Sequence, residues 1–133
     1  RGRRLHAALA GGPVPAGARV EIPGDDLLLG PMLQNLVVNA LEASPEGGDV
    51  EVDVVPGPES VCLVVRNEGE VPAAIRDQMF DKYVTMGKRS GTGLGAYSAA
   101  LAAKAHGGAI ALDAGVPGRT AVIVTLPRSG AVA

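Results

Sequence analysis

The chain has 133 residues, of which 47% are hydrophobic, and a formal net charge of −2 at pH 7. This length suits one domain with a sizeable core, and because only 2% of the residues are aromatic, that core must be aliphatic. The weak net charge and the scarcity of stacking aromatics argue against a nucleic-acid-binding protein. The single cysteine, Cys62, excludes an intrachain disulfide, and its apolar neighbours predict a small buried residue. We recognise no signal peptide and no membrane-spanning run, so we expect a cytoplasmic domain without direct membrane contact.

The first patterned segments are a short strand and a long helix. Residues 1–17 are basic and then rich in Gly and Pro, which predicts a linker, a ragged N-terminal segment or a strand. Residues 19–22 alternate polar and apolar side chains and predict a short strand. Asp25 or Asp26 can cap a helix that runs to about Ala43.

The two faces of this helix differ in chemistry. At about 100° per residue, four apolar side chains share one face: Leu29, Leu33, Leu36 and Ala40. Asn35, Asn39 and Glu42 share another face, rotated by roughly 120°. We therefore expect the apolar face to pack on a sheet beside a polar stripe. Pro31 removes one backbone hydrogen bond, which leaves open whether the first turn is a separate piece.

The remaining segments predict a sheet with a second helix. The predicted strands are residues 50–55, 60–66, 109–113 and 119–126, and the predicted helices are residues 71–79 and 94–106. Residues 80–89 form a polar connection, and Gly107-Gly108 ends the last helix. The spacing is not a regular strand–helix–strand repeat, so we predict an α/β fold, a two-layer sandwich with a mixed sheet and helices on one face.

A glycine-rich turn precedes the second helix. It reads Gly91-Thr92-Gly93-Leu94-Gly95. Glycines at alternate positions let the backbone approach a bulky anion, and the helix N-terminus that follows offers unpaired N–H groups to phosphate. Alone this signal is weak, but Asn35 and Asn39, four residues apart on the upstream helix, strengthen it. The combination predicts a phosphate site.

The order of these motifs resembles the catalytic, ATP-binding domain of sensor histidine kinases, in the GHKL superfamily shared with gyrase, Hsp90 and MutL ATPases. The resemblance covers residues 18–127 and leaves residues 128–133 as a tail. It rests on five segments, which are similar to the N box (34–43), the G1 box (67–69), the F box (79–83), the G2 box (91–95) and the last glycine box (118–120). The resemblance implies a Bergerat-type ATP-binding fold.

The resemblance implies roles for the residues near the phosphates. Asn39 would give its side-chain oxygen to Mg²⁺, and Asn35, a catalytic candidate, would reach the phosphates or a metal-bound water. Glu42 would either assist the metal through water or be a solvated acid. The cations of the lid over the triphosphate would be Lys82, also a catalytic candidate, Lys88 and Arg89, with a solvated basic loop as the alternative. The phosphates would be held by Gly91, Thr92, Gly93, Leu94 and Gly95.

The base site departs from the family pattern. The family places an aspartate where this chain has Asn67, and Glu70-Val71 stands where a second glycine is common. An amide oxygen can accept a hydrogen bond from the adenine amino group, but without charge assistance. We therefore expect Asn67 and Gly69 to bind the base with reduced affinity and relaxed selectivity. Thr120 would add a direct or water-mediated contact.

The function implied is that of a protein-histidine kinase. The domain would bind ATP and Mg²⁺ and pass the γ-phosphoryl group to a histidine on a separate dimerisation domain, with a response regulator as the later partner. His6 and His106 have no setting that suits a phosphoacceptor. Two alternatives are an anti-sigma-factor-type serine kinase and a degenerate module that binds nucleotide or a partner without catalysis. Calorimetry with ATP, with and without Mg²⁺, separates the last from the kinases.

Overall fold

The structure is a computed structural model. In the part of the chain that it describes, two helices pack on one face of a five-stranded sheet. That part comprises residues 4–9, 12–13, 26–69, 95–115 and 117–128. The helices are α1 (Asp26–Ala43) and α2 (Gly95–Ala105). The strands are β1 (Arg4–Leu9), β2 (Asp49–Pro56), β3 (Ser60–Glu68), β4 (Ala109–Asp113) and β5 (Arg119–Pro127). The strand order is β1-β2-β3-β5-β4, with β1 parallel to β2 and the other pairs antiparallel.

The predicted fold class, a two-layer α/β sandwich with a mixed sheet, is confirmed. Within the described residues, each predicted strand and helix occurs with ends shifted by at most two residues. Arg4–Leu9, in the segment predicted as a linker, a ragged end or a strand, forms the edge strand β1. The predicted strand 19–22, the predicted helix 71–79 and the polar segment 80–89 lie outside the described residues.

Helix α1 is continuous through its proline. Pro31 lies inside the helix, five residues after its first residue, so the first turn is not a separate piece. A proline at this depth removes the one hydrogen bond that its own nitrogen would donate to the preceding turn. The remaining length of α1 carries the apolar face that packs on the sheet.

The core lies between the helices and the inner face of the sheet. Strands β3 and β5 pair so that Val61 faces Leu126 and Val65 faces Val122, all four buried. The buried inner residues of the two helices are Met32, Leu36 and Ala40 from α1 and Ala99, Ala102 and Ala103 from α2. The predicted apolar face of α1 is correct, although Leu29 and Leu33 are only partly buried at its margin. The prediction did not include Met32, which is fully buried.

The outer face of the sheet carries both polar and apolar side chains, and the position of one of them corrects a prediction. Cys62 lies on this face and is only partly buried, with its Sγ 3.7 Å from Thr125 Oγ1, so the prediction of a buried core cysteine is wrong. Alternation along β3 places its neighbours inside and Cys62 outside. On the same face, Arg66 pairs with Glu51 at 2.6 Å and with the buried Asp53 at 3.4 Å.

The end of α2 is fixed by a glycine pair, as predicted. Gly108 N–H donates to Ala103 O at 2.9 Å and Gly107 N–H to Lys104 O at 3.0 Å, while Gly107 has φ +74°. These two bonds form a Schellman motif, which satisfies carbonyls that the helix end would leave unpaired. A Cβ at Gly108 would overlap the carbonyl oxygen of Thr125 in β5. Gly108 is therefore required by close packing against the sheet.

We expect Gly108→Ala to lower the free energy of unfolding by about 1–3 kcal/mol, because the added methyl group meets a strand carbonyl that cannot move freely. Gly30→Ala is the matched control, since Gly30 lies in α1 with no atom within 4 Å of an added Cβ. The control should be neutral or stabilise by up to about 1 kcal/mol. Urea unfolding followed by circular dichroism measures both. Equal effects in the two variants would contradict the packing argument.

Candidate functional site

Three chain segments meet at one end of the sheet. Strand β3 leads into Gly69, whose N–H donates to Gly118 O at 2.8 Å just before β5 begins. The C-terminus of α1 reaches the same point, because a Cβ added to Gly69 would lie 2.9 Å from the carbonyl oxygen of Ala43. The end of α1 is therefore held against the junction between β3 and β5.

Gly69 is the residue that permits this approach. Its φ of +103° is a backbone conformation that residues with a side chain rarely adopt. Its missing Cβ also leaves room for the Ala43 carbonyl. Both conditions act at one position, so the sequence motif predicted for nucleotide binding also has a structural requirement for glycine.

Two polar side chains are buried beside this glycine. Asn67 and Thr120 are cross-strand partners and only 6% and 4% exposed. Asn67 Nδ2 donates to the carbonyl oxygen of Glu68 at 2.6 Å. The hydroxyl of Thr120 donates to the carbonyl oxygen of Gly69 at 2.8 Å. The predicted base residues Asn67, Gly69 and Thr120 are therefore one contiguous group.

This group is electrically neutral. The neighbouring acid, Glu68, is next to Asn67 along β3, so its side chain points to the other face of the sheet. There its Oε2 accepts a hydrogen bond of 2.9 Å from the backbone N–H of Asp49. The buried polar side chains on the inner face, Asn67 and Thr120, have no charge and so add none to a hydrogen bond with a ligand.

The predicted amides Asn35 and Asn39 lie along α1 and lead toward this group. Both are half-buried, and Asn35 lines a groove between α1 and α2 together with Ser98. Asn39 is one turn further on, and Ala43, beside Gly69, is one turn beyond that. Residues four apart share a helix face, so the three positions form one stripe. Asn39 also has an interaction partner.

The two helices run in opposite directions across the sheet. The C-terminus of α1 lies at Gly69, beside the start of β5. The C-terminus of α2 instead meets the end of β5, because Gly108 packs against Thr125. The N-terminus of α2 at Gly95 therefore lies toward the end of the sheet that holds Asn67. Helix N-termini carry unpaired N–H groups and the positive end of the helix dipole.

Several predicted site residues lie outside the described residues: Lys82, Lys88, Arg89, Gly91, Thr92, Gly93 and Leu94. Their roles stay predictions. Gly95, the last glycine of the motif, is the first residue of α2. The helix that the motif was expected to open is therefore present at the expected place.

The structure adds contacts that the sequence did not indicate. Ala43, Glu68 and Gly118 contact Gly69 and Asn67, and each of these three residues contributes only its main-chain carbonyl. The one available signal was the presence of two Gly-containing boxes, 67–69 and 118–120, but their pairing depends on the strand register. A main-chain carbonyl is the same in every residue, so the residue types in the sequence do not indicate such a contact.

Among the described residues no group of three or more His, Cys, Asp or Glu could hold a metal ion. Amide oxygens such as that of Asn39 fit Mg²⁺, which prefers oxygen ligands and keeps several waters. In the same part of the chain no helix has the length and apolar character needed to cross a membrane.

We expect Gly69→Ala to lower the free energy of unfolding by about 2–4 kcal/mol, since it combines an unfavourable φ with contact against a helix carbonyl. Gly118→Ala is the matched control, because Gly118 also has a positive φ of +77° but no atom within 4 Å of an added Cβ. Thermal and urea unfolding measure the difference. If the two variants lose equal stability, the approach of Ala43 contributes nothing beyond backbone strain.

Known proteins match this chain over most of its length. The sequence model described as "Histidine kinase-, DNA gyrase B-, and HSP90-like ATPase" matches residues 24–130. The sensor histidine kinase WalK of Bacillus subtilis (strain 168) is 35% identical over 116 residues, which cover 81% of this chain and 19% of WalK. The chain thus spans about a fifth of the length of the curated relatives it matches.

Solved structures share the fold. The mycobacterial sensor histidine kinase MprB has a TM-score of 0.78 and 27% identity, covering 95% of this chain and 84% of that one. Full-length ShkA in complex with AMPPNP also has a TM-score of 0.78, at 23% identity, covering 99% of this chain and 27% of that one. The chain therefore belongs to the family of histidine kinase-, DNA gyrase B- and HSP90-like ATPases, as the type of domain found in sensor histidine kinases.

Proposed function

We propose that this chain binds ATP with Mg²⁺ and transfers the γ-phosphoryl group to a histidine on a separate dimerisation domain. The observation that carries the proposal is the convergence at one end of the sheet. The amide stripe of Asn35 and Asn39, the buried pair Asn67 and Thr120, and the N-terminus of α2 all lie toward that end. These groups match the metal, the base and the phosphates of one nucleotide.

The base and the phosphates would bind at different parts of the site. Asn67 and Thr120 are buried and neutral, which suits the edge of a purine base. The N-terminus of α2 supplies N–H groups and positive potential, which suits the triphosphate. The complex of the fold relative ShkA with AMPPNP, an ATP analogue, supports the choice of nucleotide.

The phosphate chemistry would be divided among the predicted residues. Asn39 would hold Mg²⁺ through its amide oxygen, and Asn35 would orient a phosphate or a metal-bound water. When bound, Mg²⁺ supplies positive charge that neutralises the phosphate oxygens. Lys82, Lys88 and Arg89 would neutralise the charge on the transferred group. The triphosphate would be held by Gly91, Thr92, Gly93, Leu94 and Gly95.

The phosphoacceptor would come from another domain of the parent protein. His106 is buried, and its Nδ1 lies 2.8 Å from Ala102 O at the C-terminal end of α2. That end is opposite to Gly95, where we place the phosphates. We assign residues 18–127 to the catalytic domain, with β1 (Arg4–Leu9) of the N-terminal segment (1–17) added as the edge strand of its sheet and residues 128–133 as a tail. We place it in the cytoplasm, with a response regulator as the next phosphate acceptor.

We expect Asn39→Ala to abolish Mg²⁺-dependent ATP binding while the domain stays folded, because the metal loses its amide ligand. Gln34→Ala is the control, since Gln34 is an exposed amide on the same helix. Calorimetric titration with ATP, with and without Mg²⁺, measures the effect, and circular dichroism checks the fold. Unchanged Mg²⁺-dependent affinity in Asn39→Ala would rule out the assignment. Absence of ATP binding in the unaltered chain would favour the non-catalytic module.

We expect no autophosphorylation of the isolated chain, because the sequence gives neither histidine a setting that suits a phosphoacceptor and His106 is buried. Incubation with γ-labelled ATP should leave the chain unlabelled and should label an added dimerisation domain from the same parent protein. Acid-labile label on His6 or His106 would show that the acceptor lies within this chain. A label on serine of an added partner would favour the serine-kinase alternative.

A further inference from the structure

The connection between α1 and β2 is short and is stabilised by its own hydrogen bonds. It consists of residues 44–48. The hydroxyl of Ser44, a residue only 2% exposed, donates to the carbonyl oxygen of Ala40 at 2.9 Å, inside the last turn of α1. The N–H of Gly48 donates to the carbonyl oxygen of Pro45 at 2.9 Å. Because the connection is short and internally bonded, a restraint at its far end also acts on the end of α1.

The far end of this connection is held by a side chain. The paired register of β2 and β3 ends with Val50 opposite Asn67, and Asp49 is the first residue of β2, one position before that pair. The N–H of Asp49 donates to Oε2 of Glu68 at 2.9 Å. The carboxylate of Glu68 therefore extends the bonding between the two strands by one residue, toward the connection.

Glu68 lies between two residues of the candidate site. Its main-chain carbonyl accepts the hydrogen bond of 2.6 Å from Asn67 Nδ2. The next residue, Gly69, approaches the carbonyl of Ala43, at the near end of the connection. Three consecutive residues of the chain thus contact the predicted base group, the start of β2 and the end of α1.

We propose that Glu68 is a positioning residue, whose carboxylate holds the start of β2 and, through residues 44–48, keeps Asn39 in place relative to the base group. The inference rests on the proposed function, in which Asn39 binds Mg²⁺. The contact at Gly69 sets how closely the end of α1 approaches β3. The hydrogen bond from Asp49 adds a directed restraint on the same segment, because such a bond resists both separation and rotation.

This role separates two parts of nucleotide binding. The bond that orients Asn67 uses the main-chain carbonyl of Glu68, which every substitution at position 68 retains. Binding of the base therefore does not depend on the Glu68 side chain. Binding through Mg²⁺ does depend on it, since the amide ligand must stand at a defined distance from a base that is already bound.

The test compares two uncharged side chains of similar length. Glu68→Gln keeps an oxygen that accepts from the Asp49 N–H, whereas Glu68→Met offers only a weakly accepting sulfur. Calorimetry on the full chain gives the ATP affinity with Mg²⁺ and with EDTA, and the ratio of the two affinities is the magnesium increment. We expect Glu68→Met to lower this increment by about tenfold, the lower end of the loss that follows removal of a residue orienting a metal ligand. We expect Glu68→Gln to keep it, and both variants to bind ATP in EDTA as the unaltered chain does.

Glu51→Met is the matched control. Glu51 lies on β2, on the same outer face of the sheet, and accepts a hydrogen bond of 2.6 Å from Arg66 Nη1. Its replacement removes a carboxylate and its bond without reaching the connection. We expect the Tm to fall in both methionine variants and the magnesium increment to fall in Glu68→Met alone. A merely structural role of Glu68 would lower the Tm and leave both increments unchanged.

Amide hydrogen exchange tests the hydrogen bond without any nucleotide. In the NMR spectrum of the unaltered chain we expect slow solvent exchange of the Asp49 N–H, because it is bonded to Glu68. The exchange should stay slow in Glu68→Gln and become faster in Glu68→Met. Fast exchange in the unaltered chain would overturn the inference. This measurement decides the question if Glu68→Met does not fold.

The outcomes distinguish the inference from the proposed function. An unchanged magnesium increment in a folded Glu68→Met variant would overturn the inference and leave the proposed function standing. Equal loss of the increment in Glu68→Gln and Glu68→Met would assign the effect to charge, which also overturns it. If the unaltered chain binds ATP but Mg²⁺ does not strengthen binding, the assignment of Asn39 to the metal fails and the inference with it. Absence of ATP binding would overturn the proposed function and the inference together.

Discussion

The contact between Gly69 and the end of α1 is the constraint on which the site depends. Apolar packing holds a helix layer on a sheet but does not fix its position along the strands, because the hydrophobic effect has no direction. Contact with the Ala43 carbonyl and the hydrogen bond to Gly118 define that position. As a result, Asn39 is one helical turn from the point where β3 ends. This one close approach therefore fixes the position of Asn39, the amide assigned to the metal, relative to the buried Asn67.

Small side chains give the second helix its position. The buried face of α2 consists of Ala99, Ala102 and Ala103, and it faces a sheet of valine and leucine side chains. Alanine lets a helix backbone lie close to the sheet, and the pair Gly107-Gly108 extends this close packing to the helix end. With its C-terminus held against β5, the direction of α2 is set. The location of its N-terminus at the site follows from that anchoring at the opposite end.

The sequence predicted the elements well because alternation and helical periodicity are local, and the structure has both helices and four strands near the expected bounds. It placed Cys62 wrongly because a continuous apolar run does not show which residue faces the core. The residue types of the site were predictable, because the spacing of the amides and glycines along the chain is itself the signal for the site. The main-chain contacts of Ala43 and Glu68 were not, because they depend on register and on segments far apart in the chain. The lid cations stay predictions.

The polarity of the site argues for one orientation of the ligand. At the sheet end, the Thr120 hydroxyl hydrogen and one N–H of the Asn67 amide are bonded to main-chain carbonyls, which leaves the oxygens of both side chains as acceptors beside the second N–H of that amide. At the N-terminus of α2, the backbone presents N–H donors and no acceptor. A nucleotide has an amino donor at its base and negatively charged acceptors at its phosphates, which is the complementary order. Reversing the nucleotide would set phosphate against acceptors and leave the helix N–H groups with a weak partner. If the chain binds ATP as proposed, this polarity specifies which end of the ligand carries the transferable group before any lid residue takes part.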